Sequence, residues 1–340
     1  MQSNTPGERV TSAQSGSTPW GGERDASVQP GGPTKLIAQV RGIGLLGPGF
    51  DDWTGAVRVL AGDAPYVSRA TVLPAPAALP PAERRRTGTV VKLALAIGFE
   101  AVTRSGMKAS ELPTVFSSSG GDGYNCHEIC QTLASADRQI SPTRFHNSVH
   151  NAASGYWSIA AAATPAANVL CAFDASFGAG LLEALTQVVV ERTPVLLVAY
   201  DAGYPEPLRA ARPIPDAFGV AMVLEPVGAR EPGSRAPDTG STGAKAGSST
   251  AGLDSRAADG DAARVSTEAV APSHLACITA TLTDTIAERM FDAQLEALRV
   301  AIPAARSLPL LTKLARRESG LVVIDYLETQ RIAVQVSECR

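Results

Sequence analysis

The sequence predicts an α/β layered fold. Three observations carry this: short apolar runs alternate with stretches of helical spacing, two of those runs end in small-residue turns that open a helix, and a strand pair closes the chain. The run PVLLVAY at 194–200 has no polar alternation, the pattern of a strand covered on both faces, so a largely parallel core is expected.

Residues 1–35 are rich in Gly, Ser, Pro, Thr and Gln and read as a disordered tail, because burial there would not offset the entropy of ordering. Leu36 begins a strand, LIAQVRGIGLL, that runs into a Gly/Pro turn. Asp51 and Asp52 then open a helix at Trp53, placing acids at the positive end of its dipole. A proline-rich connector over 74–81 leads to a helix over 82–107, where Val90, Val91, Leu93, Ala94, Ile97, Ala101 and Val102 recur at helical spacing. PTVFSSS (113–119) is a buried strand, glycines 120, 121 and 123 mark its exit, and a helix follows over 124–134. Residues 144–163 are a loop leading into a helix of small residues. NVLCAFDASFGAGLLEAL (168–185) then repeats strand, turn and helix.

Strands over 194–200 and 219–225 follow, after which 227–270 reverts to Gly, Ser, Ala, Pro and Asp without period and reads as a flexible insert. The remainder, 271–340, supplies a strand (274–283), two helices (291–300 and 304–316) and a hairpin (321–326 with 331–336). Length and composition alone suggest one folded domain of about 230 to 250 residues, and the elements place it over 36–226 completed by 271–340, slightly more than that.

With 44% hydrophobic and 19% charged residues, the 340-residue chain has the composition of a globular protein with a well-buried interior. A net charge of -3 leaves no basic footprint for nucleic acid. The five cysteines share no repeating spacing, which points to reduced thiols. The N-terminus lacks an apolar leader, no segment reaches the roughly 18 apolar residues of a membrane span, and a cytoplasmic location is expected.

The stretch 168–185 is the candidate site. A strand-turn-helix exposes a side chain where unpaired N–H groups and the dipole favour an oxyanion, and Ser176 occupies that turn. Asp174-Ala175-Ser176-Phe177-Gly178 departs from G-x-S-x-G by carrying Asp first, so Ser176 is read as a helix cap or a packed side chain in preference to a nucleophile. His146 and His150 are four residues apart and suit a base, a metal or a hydrogen-bonded cluster with Asn147 and Asn151; the cluster is preferred. Cys126 and Cys130, also four apart, suit a shared metal or the core, and the core is preferred. His127-Glu128 starts an H-E-x-x-H pattern that Cys130 breaks. The glycines at 120–123 lack the lysine of a phosphate loop, and Arg84-Arg85-Arg86 reads as a solvated face or a contact for an acidic carrier protein. No metal is expected.

Four segments together resemble the N-terminal half of a β-ketoacyl synthase, the condensing enzyme of the thiolase fold: residues 80–107, PTVFSSSGGDG (113–123), SPTRFHNSVHNAASGYWSIA (141–160) and NVLCAFDASFGAGLLEAL (168–185). The resemblance covers 38–226. The third segment is most similar to the chain-length-factor subunits of bacterial aryl polyene clusters, and residues 302–339 resemble their short C-terminal region. It implies a thiolase-like fold made mostly of one N-terminal-type half, with a truncated C-terminal part.

The departures carry the functional expectation. The family's nucleophile is a cysteine in a T-A-C-S-S type turn, and Asp174-Ala175-Ser176 stands there instead, to within about one residue. Cys171, earlier in the strand, is expected to be buried. The family's other catalytic histidines or asparagine come from a C-terminal half that mirrors the first, and His274 is the one histidine beyond the insert. Losing thiolate and imidazoles removes the covalent and electrophilic steps together, and a serine hydroxyl would need an adjacent base to replace the thiol.

The resemblance therefore implies a non-catalytic, cofactor-free subunit that pairs with an active ketosynthase and shapes its acyl tunnel, acyl carrier protein being met indirectly. Asn168–Phe173 would lie at the partner interface. Phe173, Asp174, Phe177, Tyr156, Trp157, His146 and His150 are the tunnel or interface candidates, with core packing the alternative for each aromatic. The rival is a stand-alone acyltransferase or hydrolase using Ser176 with His146 or His150 as base.

Overall fold

The computed structural model describes residues 35–228 and 274–339. The tail expected over 1–35 and the insert expected over 227–270 fall outside the described residues, apart from Lys35, Val227 and Gly228.

The elements are β1 (Leu36–Leu46), α1 (Trp53–Ala61), α2 (Pro81–Arg84), α3 (Thr89–Ser105), β2 (Thr114–Ser117), α4 (Gly123–Ala134), α5 (Pro142–His146), α6 (Ala152–Ala161) and β3 (Ala167–Leu170). There follow α7 (Ser176–Glu191), β4 (Val195–Asp201), α8 (Leu208–Ala211), β5 (Phe218–Glu225), β6 (Ala276–Thr283), α9 (Ala293–Ala301), α10 (Leu308–Arg316), β7 (Gly320–Asp325) and β8 (Arg331–Ser337). Short 3-10 turns precede α7 (Phe173–Ala175) and α10 (Pro303–Ser307).

The helix expected over 82–107 is two helices. Thr87 turns its hydroxyl back to the Arg84 carbonyl, and Gly88 restarts the helix beside Asp122, whose carboxylate would meet any side chain at 88. The expected helix over 304–316 likewise begins as a 3-10 turn, with Pro309 inside the first turn of α10.

All strands form one sheet in the order β3-β2-β4-β5-β1-β6-β8-β7. The expectation of a largely parallel core fails. Only β2 pairs in parallel, with β3 and β4, while the five other pairings are antiparallel. The unalternated apolar runs misled because burial on both faces, not strand direction, sets that pattern. One face carries α1, α7 and α10 over Leu197, Val220 and Met222; the other carries α3 and α6 over Leu196, Val198 and Val223.

In β1 the register shifts between Val40 and Gly42, so Arg41 is extra. That bulge lets Ala38 and Val40 face the same core as Ile43 and Leu45, which strict alternation would forbid. Arg41 turns its guanidinium onto buried Glu225, with Nη1 donating to both carboxylate oxygens at 3.2 and 3.0 Å.

The C-terminal region repeats part of what precedes it. In both places a 3-10 turn opens a helix, a hairpin follows, and the second hairpin strand pairs with an earlier strand: α7-β4-β5 beside β1, and α10-β7-β8 beside β6. Counterparts of β2 and β3 are absent from the second unit among the described residues.

The two ends of the sheet differ. At one end β3 pairs only with β2 among the described residues. At the other, the loop before α9 lies along β7, the Glu288 N–H donating to the Val323 carbonyl at 2.8 Å.

By length and composition alone, one stretch passes for a membrane span, although it carries Asp174, Glu183 and Glu191. Phe173–Glu191, 19 residues, is long and apolar enough to cross a membrane. Half of it is buried here, packed on β1, β2 and β4.

Candidate functional site

The β3-to-α7 turn places Phe173, not Ser176, at its apex. Phe173 has a left-handed backbone (φ 50°) and leaves 61% of its surface exposed. A bulky aromatic there is strained, and such strain persists where surrounding contacts over-determine it. Ser176 supplies one of them from below. Its buried hydroxyl accepts from the Ala172 N–H at 3.0 Å and donates to the Phe173 carbonyl at 2.7 Å.

The cap reading of Ser176 is thereby corrected. Its side chain closes the turn backward instead of capping α7 forward. Its carbonyl in turn accepts from the Ser117 hydroxyl at the end of β2.

From above, the Arg212 guanidinium lies 3.9 Å over the Phe173 ring. Its Nη2 reaches Asp174 Oδ1 at 2.5 Å, an ion pair without hydrogen-bond alignment, and Arg306 Nη2 approaches Asp174 Oδ2 at 3.3 Å. Behind the turn, Asp201 at the end of β4 accepts from the Ser119 N–H (Oδ1) and the Ala304 N–H (Oδ2), both at 2.8 Å. Burial pushes its carboxyl up to about 6, although both N–H donors and Arg212 favour the charged form.

The glycine turn after β2 is an accommodation, as its phosphate-free reading implied. A Cβ on Gly120 or Gly123 would fall within 2 Å of the Tyr204 ring system, so these glycines make room for that phenol.

The other candidates disperse. Phe177, Tyr156 and Trp157 are core residues, Trp157 packed between Phe99, Phe116 and Gly98. Of the three, only Tyr156 borders an open groove among the described residues. His146 is exposed with its ring edge-on to Tyr156, α5 ends there, and His150 sits in the following turn, so the two imidazoles share no helix face. His150 instead lies beside Gly121, its Nε2 buried without a partner. Neither is bonded to Ser176, whose hydroxyl is already engaged on both sides. The expected hydrogen-bonded cluster of the two histidines with Asn147 and Asn151 does not form: Asn147 turns to other partners, accepting from the Tyr156 hydroxyl at 3.1 Å and donating to the Arg86 carbonyl at 2.9 Å.

Arg84 is spent on the Ala77 and Leu79 carbonyls and Arg86 on Glu83, leaving little of a free basic strip. The described residues contain no group of three or more His, Cys, Asp or Glu arranged for a metal.

The cysteines overturn two expectations. Cys171 is exposed, its thiol donating to the Ser119 carbonyl at 3.2 Å, because β3 is an edge strand with no helix over that position. Cys126 and Cys130 are also exposed, since α4 buries only Gly123 and Asn125. Cys277 and Cys339 are the withdrawn pair, with sulfurs 3.3 Å apart and burial pushing the Cys339 thiol up to about 12. A thiol-disulfide reagent is expected to titrate three thiols quickly in the purified folded chain and the remaining two only after denaturant. Fast reaction of all five would contradict this arrangement.

Phe145, Val149, Ile159 and Phe173 are exposed, and a groove of about 600 Å³ opens between α5 and α6, lined by Phe145, His146, Val149, Tyr156 and Ile159. Such a patch on a monomer marks a contact surface.

The family model for the β-ketoacyl synthase N-terminal domain matches residues 61–290. The chain belongs to the β-ketoacyl synthase N-terminal-domain family. No curated protein matches the sequence significantly. Three solved structures share the β-ketoacyl synthase fold with it. One is the ketosynthase (ApeO) in complex with its chain length factor (ApeC) from Xenorhabdus doucetiae: TM-score 0.58, 21% identity, covering 88% of this chain and 100% of that chain. The ishigamide ketosynthase/chain length factor gives TM-score 0.58 at 11% identity, with 89% and 100% covered. The AntDE:AntF structure, a type II PKS acyl-carrier protein in complex with its ketosynthase bound to the hexaketide, gives 0.59 at 10%, with 89% and 99% covered. At these identities the likeness shows the fold alone, a thiolase-like layered α/β fold.

Within this β-ketoacyl synthase-family fold, Arg212, Arg306, Tyr204 and Asp201 were invisible to sequence reasoning. Arg212 and Arg306 reach the turn from 38 and 132 residues beyond Asp174, while Tyr204 and Asp201 meet the β2 exit. One signal did exist for Arg306: it stands two residues before α10, as Asp174 stands two before α7.

Proposed function

We propose that this chain is a non-catalytic ketosynthase-like subunit, a chain-length factor, that pairs with an active β-ketoacyl synthase in fatty-acid or polyketide-type biosynthesis of the aryl polyene kind. The observation that carries the reading is the turn itself. Where the family's cysteine nucleophile is expected, Phe173 holds the apex, and the nearby Ser176 hydroxyl is buried with its proton given to the Phe173 carbonyl. A nucleophile needs an open approach and a base to take its proton, and Ser176 has neither.

Pairing is supported by the side of β3 left unpaired among the described residues, by exposed Phe173 and by the apolar groove between α5 and α6. The same geometry gives Phe173 the role of touching the partner or the acyl chain, with Asp174 beside it. The structures compared above pair a ketosynthase with its chain length factor, or with an acyl-carrier protein, and the analogous assembly is proposed for this cytoplasmic chain. Acyl carrier protein would meet the partner ketosynthase. Residues 36–226 would form the N-terminal-like domain and 271–340 its completion, with 227–270 a linker.

The test is co-expression with the ketosynthase encoded beside it. A stable one-to-one complex is expected, while the chain alone neither condenses malonyl thioesters nor reacts with a fluorophosphonate. Failure to co-purify would sink the pairing. Labelling at Ser176, abolished by His146→Ala or His150→Ala, would establish the acyltransferase or hydrolase reading instead.

A further inference from the structure

We infer that Arg306 and Arg212 are positioning residues for Phe173: a clamp from two distant segments fixes the strained turn, and the short C-terminal region contributes half of it. The inference rests on the reading of Phe173 as the side chain offered to partner or substrate.

Three groups hold the apex. Ser176 closes the turn from below through Ala172 and Phe173. Arg212, following α8, covers the ring at 3.9 Å and pairs with Asp174. Arg306, in the 3-10 turn before α10, reaches the other carboxylate oxygen of Asp174. That carboxylate therefore sits between two guanidinium groups, and neither arginine side chain exposes more than about a fifth of its surface. Asp174 itself keeps 40% of its side chain exposed, so the pairs are only partly shielded from solvent.

The partial repeat explains the geometry. Asp174 and Arg306 occupy equivalent places, two residues before α7 and α10, and the two 3-10 turns pack against each other. A repeated unit thus faces its counterpart with opposite charge at the matching position. A separate tie holds the same C-terminal turn in place: Asp201 at the end of β4 receives the Ala304 N–H from it and the Ser119 N–H from the β2 exit. The C-terminal region meets the strained turn itself at one point, Arg306 on Asp174.

Hydrogen exchange on the full chain tests this without any partner. In Arg306→Ala, exchange at the Ala172 and Ala175 amides is expected to rise about tenfold, while amides of β7 and β8 stay within about twofold of wild type. Arg306→Lys, which keeps one charged donor near Asp174, should restore most protection. Arg212→Lys should not, because an ammonium lacks the planar face that stacks on Phe173. If Arg306→Ala folds poorly, Asp174→Asn removes the same attraction with little change of volume and should loosen the same amides. Unchanged exchange in Arg306→Ala and Asp174→Asn, or loosening spread evenly over the C-terminal region, overturns the clamp.

A second arm separates this from the functional reading. In the complex with its ketosynthase, Arg306→Ala should broaden the product-length distribution at unchanged heterodimer affinity. A loosened turn with an unaltered product would leave the clamp standing and overturn the role given to Phe173.

Discussion

Replacing Gly44 with alanine is expected to yield a chain that does not accumulate as folded protein. A Cβ at Gly44 would stand 2.0 Å from the Ile97 carbonyl oxygen, and one at Gly42 would stand 2.2 Å from that of Ala101. Both obstacles are helix backbone, which cannot rotate aside. Gly42 and Gly44 lie two apart on β1 and face successive turns of α3, so the helix sits on the strand at backbone contact. Restoring contact distance means lifting α3 by more than 1 Å from β1, β4 and β5, which opens voids under Leu93, Ile97 and Val90. Overpacking alone costs about 1–3 kcal/mol, and the lost packing brings the total to about 4 kcal/mol or more. Soluble yield and thermal melting measure it; a wild-type melting temperature for Gly44→Ala would show that α3 does not seat as described.

The second large effect is at Asp201, which is 2% exposed. Asp201→Ala leaves the Ser119 and Ala304 N–H groups without acceptors. An orphaned buried donor costs about 1–3 kcal/mol, offset in part by removing a buried charge, so a net loss of about 2–3 kcal/mol is expected at pH 7. For a chain of this size the melting temperature should fall by about 5 °C. Because the folded carboxyl is pushed up to about 6 from an ordinary 3.8, the folded state binds the proton more tightly than the unfolded one. The stability this contributes is complete below about pH 4 and is lost as pH rises through about 6, a swing of about 3 kcal/mol. The stability advantage of wild type over Asp201→Asn should therefore grow as pH falls from 7 to 4. An advantage independent of pH would mean the carboxyl is charged in the fold at its ordinary pKa.

Much of the architecture was legible because local patterns report burial. The apolar runs at 36–46, 194–200 and 219–225 became strands, the strand-turn-helix at 168–185 formed, and the closing hairpin paired as expected. Strand direction was not legible, since a run buried on both faces looks the same in either orientation. The candidate site was half legible. The turn was found from its small residues, but its apex was placed at Ser176, because serine at a helix start suggests an exposed hydroxyl. Phe173 was read as one aromatic among four, although only it is exposed. Nothing in the sequence near Phe173 announces φ 50°, since the contacts that enforce it come from Arg212 and Arg306. Cys171 was placed inside because its neighbours are apolar; an edge strand exposes residues that a central strand of the same composition would bury.

The unequal ends of the sheet bear on where a strand from outside would join it. A sheet open at both ends is a repeating unit: each added copy offers a fresh edge, and growth continues into fibres. Here the loop bonded to Val323 lies against one terminus, and among the described residues β3 leaves the other open. A strand added to this sheet from outside would therefore meet a loop at one edge and unpaired backbone groups at β3, which makes the two edges unequal invitations.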